Sequence, residues 1–314
     1  MNITTVKNIK KPSDFGRVLV IYGGNSRERD ISLNSGMAVL KALQSMGVEA
    51  CGWDPKIEPL YKILETNYDR AWIALHGQSG EDGSIQGALE FLGIPYTGSG
   101  ILPSAIAMNK IMSKQLFQIN NIPTPDFKII RNKDDALNAM DCLGLPMVLK
   151  PVSQGSSIGM SIISEPNQME EALSLALSFN NLALAEECII GDEVTVAILN
   201  NKSFPSICIK TPRVFYDYNA KYKSVETQYI CPGSNDDKLE KLYSDIALKA
   251  FDALGCIGWG RVDFMRYDNE IPKVLEINTV PGMTEKSLVP MAAKQLGINF
   301  PDLCWRILET SFDN

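Results

Sequence analysis

The sequence contains a single histidine, His76, in 314 residues. A zinc site of the H-E-x-x-H type needs two histidines, and a Ser-His-Asp triad would have only this one base, so most hydrolase classes are excluded. The 7 cysteines are odd in number and include no C-x-x-C pair, which argues against a disulfide framework and against a zinc knuckle. We therefore expect a reduced, cytoplasmic environment.

Long apolar runs and excess positive charge are also missing. No stretch approaches 18 consecutive apolar residues, and residues 1–16 have lysines but no apolar segment of the secretion-signal type, so no membrane span is predicted. Lys and Arg number 30 against 37 Asp and Glu, which leaves a formal net charge of -7. Neither nucleic acid nor an anionic membrane is an expected partner, and an anionic ligand would need a local basic pocket.

What remains is the composition of an ordinary globular protein, with 45% hydrophobic and 21% charged residues. The first hundred residues alternate apolar runs with helical segments. Strands are predicted at 17–22, 48–53 and 71–75, and helices at 32–46, between the second and third strands, and at 84–92. Strands separated by helices indicate a parallel sheet, so residues 1–100 are predicted to form a parallel α/β domain.

The pattern of the rest of the chain predicts a second α/β unit at residues 101–187 and an α+β unit at residues 188–314. The first contains helices at 102–119 and 133–143 and strands at 127–130 and 147–150. The second contains strands at 193–199 and 203–210, a polar loop at 211–224, a helix at 236–254 and two later strands. Apolar residues of that helix recur at helical spacing and are predicted to face the core: Leu239, Leu242, Ile246, Ala250 and Leu254.

The first candidate site follows the strand at 147–150. Lys150 precedes the predicted hairpin tip GSSIG at 155–159. Such a tip can turn backbone N–H groups and hydroxyls toward phosphate oxygens, with Lys150 as a point charge, although an ordinary hairpin with a solvated lysine would have the same sequence. It is not a Walker A loop, because the lysine precedes the glycines and no helix is predicted to follow.

The second candidate site lies on the last two predicted strands. Arg261 and Asp263 share a face of one strand, and Glu276 and Asn278 share a face of the other. A hairpin would bring these faces together and gather two carboxylates with an amide oxygen, which are ligands suited to magnesium carrying nucleotide phosphates. A surface hairpin with alternating polar residues is the alternative.

The third candidate site is formed by two N-terminal loops, at 23–32 and 75–84. Each follows a predicted parallel strand, and ligands bind at the carboxyl ends of strands in open parallel sheets. The first loop carries Glu28 and the second carries His76. The alternative is that the loop charges only increase solubility, since such loops would have a similar sequence. A further stretch at 185–194 places carboxylates around two isoleucines, which could contact the amino group, ring and ribose of a nucleotide.

Together and in order, these motifs resemble the D-alanine:D-alanine ligase family of the ATP-grasp superfamily. Six segments between residues 17 and 312 carry the resemblance: GGNSRERDISLNSG, LHGQSGEDGSIQG, KPVSQGSSIGMS, YDYNAKY, GWGRVDF and LEINTVPGMTEKSLVP. The resemblance implies an ATP-grasp fold, with the parallel α/β domain followed by two α+β subdomains that clamp ATP. It also implies a homodimeric enzyme of peptidoglycan precursor synthesis, which joins two D-alanines through an acyl phosphate with cleavage of ATP.

The resemblance further implies roles for residues at the amino acid substrates. Glu28 would bind the ammonium group of the first D-alanine, with Ser156 and Tyr222 orienting it and His76 nearby. The oxyanion of the transition state would be bound by Arg261 and the backbone of Gly282. The carboxylate of the second D-alanine would be bound by Ser287 and Leu288.

Other roles are implied at the nucleotide. Residues implied for ATP are Lys110, Lys150, Ser157 and Lys221 at the phosphates, Glu186, Glu187 and Ile189 at the adenine, and Glu193 at the ribose. Two Mg²⁺ or Mn²⁺ ions would be held by Asp263, Glu276 and Asn278. The loop at 211–224 is expected to close over ATP as a lid.

Two alternatives remain open at this point. Ligases that use D-lactate or D-serine as the second substrate share the chemistry, although the NAKY segment with Tyr222 favours D-alanine. The other alternative is a catalytically silent nucleotide-binding protein of the same fold, against which the presence of Glu28 and Arg261 argues. The sequence also departs from many relatives at Glu187, where they have lysine, so a role for the Glu187 side chain is in doubt.

Overall fold

The computed structural model describes residues 11–211, 227–268 and 270–313. The helices in these residues are α1 (Arg29–Ser45), α2 (Ser84–Phe91), α3 (Ile101–Met108), α4 (Lys110–Ile119), α5 (Lys133–Leu143), α6 (Met169–Leu177), α7 (Asp237–Ala253), α8 (Leu288–Gln295) and α9 (Phe300–Glu309). The strands are β1 (Arg17–Ile21), β2 (Glu49–Trp53), β3 (Arg70–Ile73), β4 (Phe127–Ile130), β5 (Met147–Pro151), β6 (Ser161–Ile163), β7 (Ala183–Glu187), β8 (Asp192–Leu199), β9 (Lys202–Ser203), β10 (Ile207–Lys210), β11 (Gln228–Ile230), β12 (Trp259–Arg266) and β13 (Lys273–Asn278). Apart from Thr211, the predicted loop at 211–224, with Lys221 and Tyr222, lies outside the described residues.

Three parallel strands form the N-terminal sheet, in the order β2-β1-β3. The central strand is fully buried from Val18 to Ile21, as expected for a strand covered on both faces. The predicted parallel α/β architecture is confirmed, except that the segment between β2 and β3 is a 3₁₀-helix of 6 residues, Leu60–Glu65. The loops after β1 and β3 leave from one edge of the sheet and bring Glu28 and His76 to that edge.

The central sheet has the order β4-β7-β5-β6, and all its pairings are antiparallel. The α/β unit predicted here from the sequence pattern is therefore wrong, and the α+β subdomain implied by the family resemblance is confirmed. Helices α5 and α6 pack on it through small residues such as Ala139 and Ala172. The helix predicted at 102–119 is in fact two helices. The reason is Asn109, whose extended backbone (ψ 98°) ends α3 and whose side chain accepts a hydrogen bond from the backbone N–H of Met112 and so caps α4.

The C-terminal sheet has the order β11-β10-β8-β12-β13, and β9 also pairs with β8. All these pairings are antiparallel. The tight turn between β8 and β9 is made by Asn200 and Asn201, whose φ angles of 49° and 57° lie in the left-handed region that asparagine tolerates. The predicted hairpin of the last two strands is confirmed as β12 and β13.

Helix α7 covers the C-terminal sheet. Ile246, Ala250 and Leu254 are buried, as predicted from their spacing. Leu242 is 36% exposed, so its predicted core position is wrong, because the buried stripe is centred one residue further on, at Tyr243. No helix of the described residues is both long and apolar enough to cross a lipid bilayer.

One hydrophobic core joins the N-terminal sheet to helices α8 and α9. Leu303 and Ile307 of α9 are fully buried in it, and α9 packs along α1. At the start of β3, Arg70 donates a hydrogen bond of 2.9 Å to Ser311 Oγ, and its guanidinium lies 3.6 Å from the ring centroid of Phe312. Distant parts of the sequence therefore build the N-terminal unit together.

Candidate active site

Two adjoining cavities lie between the sheets. The lysine cavity, of about 100 Å³, lies between the central and C-terminal sheets; its lining includes Lys110, Lys150 and Glu186. The arginine cavity, of about 400 Å³, lies between the N-terminal and C-terminal sheets; its lining includes Glu28, His76 and Arg261. Both cavities are lined by Ser156 and Glu276, so a molecule in one can reach a molecule in the other.

Every candidate residue within the described part of the chain lines one of these cavities. The lysine cavity takes Lys110, Lys150, Ser157, Glu186, Glu187, Ile189, Glu193 and Asp263. The arginine cavity takes Glu28, His76, Arg261, Asn278, Gly282, Ser287 and Leu288. The candidates Lys221 and Tyr222 lie outside the described residues.

Buried lysines surround the carboxylate of Glu186 on β7. Because β7 pairs with β5, Lys150 at the end of β5 contacts Glu186 Oε2 through its Nζ. Lys114 Nζ, from α4, lies 2.5 Å from Glu186 Oε1. Burial lowers the pKa of Lys150 to about 7, with the charge of Lys110 as the second cause, and burial also lowers the pKa of Lys114. The Glu276 carboxylate opposes the lowering of both pKa values, and Asp126 also opposes that of Lys114, because a nearby negative charge favours the charged ammonium group.

Lys114 was not a sequence candidate. It lies one helical turn after Lys110, whose Nζ pairs with Glu276 Oε2 at 2.9 Å and donates to Gln154 O at 3.0 Å. Two residues at i and i+4 share a helix face, so the spacing of the lysines was a signal that both lie on the face of α4 that meets carboxylates, Glu276 for Lys110 and Glu186 for Lys114.

The predicted glycine-serine tip turns sharply beside both cavities. Ser156 and Ser157 have φ angles of 52° and 59°, in the left-handed region that is uncommon for residues other than glycine. Backbone strain of this kind is concentrated at ligand sites. Ser157 lines the lysine cavity, while Ser156 reaches the arginine cavity as well.

Glu28 is held between this tip and the loop after β3. Its Oε1 accepts a hydrogen bond of 2.5 Å from Ser156 Oγ, which brings together two residues of the predicted orienting network. Two glycines allow the close approach. A Cβ on Gly77 would lie 2.6 Å from Glu28 Oε2, and a Cβ on Gly155 would lie 3.1 Å from the same oxygen. The carboxylate is therefore fixed in position by residues from two sheets.

His76 is buried and connects the N-terminal loop to the segment after β13. Its Nδ1 lies 2.8 Å from Val280 O and its Nε2 lies 3.1 Å from Ser35 Oγ. A carbonyl only accepts, so Nδ1 carries the proton and donates it, while Nε2 accepts from Ser35 Oγ. Burial lowers the pKa of His76, which favours this neutral form. His76 thus lies beside the cavity as a neutral group that positions the loop.

Glu81, in the same loop, has no role implied by the family resemblance. It lines the arginine cavity, and its Oε2 accepts a hydrogen bond of 2.7 Å from Gly77 N. Burial raises its pKa to about 8, and the negative charge of Glu28 is the second cause. Glu81 is therefore mostly protonated at neutral pH.

The hairpin of β12 and β13 gathers the polar side chains that its spacing predicted. Arg261 is opposite Asn278 in the ladder, and Asp263 is opposite Glu276. The guanidinium of Arg261 donates from Nε and Nη2 to the two oxygens of Asp263, each at 2.7 Å. Asn278 Nδ2 donates to Asp263 Oδ2 at 2.9 Å. The two carboxylates are thus close neighbours on one face, each paired with a cation.

The far wall of the arginine cavity is the amino end of α8. Ser287 is the residue before the helix, and its Oγ accepts a hydrogen bond of 3.0 Å from Thr284 N. Leu288 begins the helix, and Gly282 lies close enough that a Cβ on it would be 3.3 Å from Ser287 Oγ. Backbone N–H groups at a helix start attract carboxylates, which suits the predicted role of this wall.

At the rim of the lysine cavity, Glu187 Oε2 forms an ion pair of 2.8 Å with Lys273 Nζ. The pair joins the end of β7 to the start of β13. The Glu187 side chain, whose role was in doubt from the sequence, therefore forms a contact between the central and C-terminal sheets.

Comparison with known proteins gives one family. A family model described as D-ala D-ala ligase C-terminus matches residues 116–309, and one described as D-ala D-ala ligase N-terminus matches residues 56–99. The chain is 48% identical to a D-alanine–D-alanine ligase from Pseudoalteromonas atlantica, over 95% of each sequence. A crystal structure of the D-alanine–D-alanine ligase from Bacillus anthracis superposes with a TM-score of 0.84 at 36% identity and covers 95% of this chain and 97% of its own. A crystal structure of the Bacillus anthracis ligase in complex with ATP superposes with a TM-score of 0.83 at 33% identity, and it covers the same shares of the two chains.

Proposed function

The chain belongs to the D-alanine–D-alanine ligase family, and we propose that it joins two D-alanine molecules with cleavage of ATP to ADP and phosphate. A carboxylate oxygen of the first D-alanine attacks the γ-phosphorus of ATP, so that ADP leaves and an acyl phosphate forms. The amine of the second D-alanine then attacks the acyl carbon, and phosphate leaves as the amine loses a proton. The product would serve peptidoglycan precursor synthesis.

The observation that carries this proposal is the junction of the two cavities at Ser156 and Glu276. A nucleotide in the lysine cavity and two amino acids in the arginine cavity would meet there, as transfer of a phosphoryl group requires. Cations also lie where negative charge develops, on both sides of the junction.

ATP would lie in the lysine cavity. Lys110, Lys150 and Ser157 line it and would bind the phosphates, together with Lys221. The residues proposed for adenine and ribose line the same cavity; they are Glu186, Glu187, Ile189 and Glu193. Since the Glu187 side chain is paired with Lys273, we assign only its backbone to adenine.

D-alanine would occupy the arginine cavity. Glu28 would bind the ammonium group of the first molecule, held in place by Ser156 and completed by Tyr222. Arg261 and the backbone N–H of Gly282 would stabilise the oxyanion that forms when the second amine attacks. The start of α8, with Ser287 and Leu288, would bind the second carboxylate.

Magnesium fits the residues of the β12–β13 hairpin. Asp263, Glu276 and Asn278 offer hard oxygen ligands, and two ions, Mg²⁺ or Mn²⁺, would neutralise the transferring phosphates. No group of three His, Cys, Asp or Glu side chains in the described residues could hold a metal ion by itself. The amide oxygen of Asn278 and the phosphate oxygens would therefore complete the coordination.

The deciding experiment is product analysis with ATP, magnesium and a panel of D-amino and D-hydroxy acids. We expect D-alanyl-D-alanine and phosphate in equal amounts. A product that contains D-lactate or D-serine would show that this compound, and not D-alanine, is the second substrate. Absence of phosphate release with every acceptor would reject the ligase proposal. A homodimer and a cytoplasmic location are further proposals from the family resemblance, and light scattering of the purified protein tests the first.

A further inference from the structure

Lys114 is among the largest side chains that are fully buried in the described residues. Its Nζ lies 2.5 Å from Glu186 Oε1, 2.8 Å from Thr124 Oγ1 and 3.3 Å from Pro125 O. The hydroxyl of Thr124 donates to Val274 O at 2.8 Å, which leaves its oxygen to accept from Lys114. Two of the three ammonium protons therefore have hydrogen-bond acceptors, in Thr124 and Pro125, and the charge is paired with the Glu186 carboxylate.

These contacts fix Lys114 in one position. They connect α4 with β7 and, through Thr124, with β13. The Lys114 ammonium also lies 5.6 Å from the ring centroid of Phe127, which adds a favourable cation–π contact. A buried lysine with this many partners cannot turn toward a ligand without losing several of them.

Lys150 differs from Lys114 in this respect. It contacts the other oxygen of the same carboxylate, Glu186 Oε2, and lines the lysine cavity. If Lys150 turns to the phosphates of ATP, Oε2 loses its partner while Lys114 keeps Oε1 in place. Glu186 is 2% exposed, so the oxygen that loses its partner needs a new donor.

We propose that Lys114 is a positioning residue for adenine recognition, which holds Glu186 so that Oε2 accepts a hydrogen bond from the 6-amino group when Lys150 turns to the phosphates. The inference rests on the proposed use of ATP. Hypoxanthine has an oxygen at position 6, which faces a carboxylate unfavourably, so the arrangement selects ATP over ITP. Lys114 acts through Glu186 and does not itself touch the nucleotide.

The test compares Lys114→Met with a matched control, Lys128→Met, which removes an exposed lysine from the neighbouring strand β4. Dissociation constants for ATP and ITP are measured by calorimetry, and kcat and the KM for D-alanine by phosphate release. In Lys114→Met we expect ATP affinity to fall about tenfold and the preference for ATP over ITP to shrink by a similar factor. The KM for D-alanine should stay within about twofold of wild type, and the control should match wild type throughout.

A double-mutant cycle with Glu186→Gln tests the route of the effect. If Lys114 acts through Glu186, adding Lys114→Met to Glu186→Gln should leave the ATP to ITP ratio nearly unchanged. A further loss of selectivity in the double variant would overturn the proposal. So would a folded Lys114→Met protein with reduced stability but the wild-type ratio, since a purely structural role predicts that outcome.

Thr124→Val carries the test if Lys114→Met does not fold. It removes one acceptor of Lys114 with little change of shape, and it should weaken the ATP preference in the same direction; an unchanged preference would reject the proposal. The proposed function fails separately, because a wild-type protein without D-alanine-dependent phosphate release rejects the ligase activity whatever the binding ratios are.

Discussion

Replacing Glu81 with glutamine should stabilise the protein at neutral pH and have little effect near pH 4. Burial in the arginine cavity and the nearby charge of Glu28 raise the pKa of Glu81 to about 8 from an ordinary value of 4.5. Between these two values the folded protein binds a proton that the unfolded chain releases. The stability of the wild type relative to the variant must therefore fall as pH rises through this range.

The size of the effect follows from the same two values. The interval from 4.5 to about 8 covers about 3.5 pH units. Each unit changes the free energy of unfolding by about 1.4 kcal/mol, which gives about 5 kcal/mol over the full interval. Between pH 5.5 and 7.5 the expected change is about 2.5 kcal/mol, slightly less than the full slope because Glu81 begins to ionise in the folded protein near pH 7.5. Glutamine keeps an oxygen that can accept from Gly77 N, so the hydrogen bond at the loop is retained.

Urea unfolding of wild type and Glu81→Gln at pH 5.5 and 7.5 measures this difference. The advantage of the variant should grow with pH, while Glu58→Gln, at an exposed position, should parallel the wild type. If Glu81→Gln also follows the wild type at both pH values, Glu81 titrates normally and the reasoning about its burial is wrong.

Three further predictions concern the substrate side of the site. Arg261→Met and Arg261→Lys should lower kcat by about 10²- to 10³-fold with nearly unchanged ATP affinity, because the loss falls on the oxyanion; a defect confined to KM would make Arg261 a ground-state binding residue. Turnover should require magnesium and be lost in Asp263→Ala, and a folded variant with wild-type turnover would contradict the metal assignment. Gly77→Ala should raise the KM for D-alanine because its Cβ would displace Glu28, whereas Gly93→Ala, with a similar φ of 68° and nothing within 4 Å, should only lose stability, by about 1–2 kcal/mol. Equal KM values in the two alanine variants would show that Glu28 is not displaced.

Alternation along β12 and β13 was enough to predict the polar face of that hairpin. Side chains two apart share a face whatever the rest of the chain does, so the pairing of Asp263 with Glu276 in the ladder follows from local pattern and a short turn. The same holds for α5, whose bounds match the prediction at 133–143. The ligand roles, in contrast, came from the resemblance, because spacing alone left ordinary surface loops as alternatives.

The burial of Lys114 could not be predicted from the sequence pattern. Its burial depends on α4 packing against β7 and on Thr124 bonding to β13, and these contacts join residues far apart in the chain. Leu242 shows the same in reverse, since this apolar residue at helical spacing is 36% exposed at the edge of a buried stripe that is centred on Tyr243. Helix periodicity predicts an apolar stripe along the helix, but tertiary packing decides which residues at the edge of that stripe are buried.

The packing of α9 into the N-terminal core has a consequence for synthesis on the ribosome. The strands of the first sheet are complete at Ile73, but α9 begins only at Phe300. At roughly 5–20 residues per second, translation of the intervening chain takes about 10–45 s. During this time the apolar surface that Leu303 and Ile307 later cover is open to chaperones and to other nascent chains. The first sheet to be made is therefore among the last parts of the enzyme to acquire a complete core.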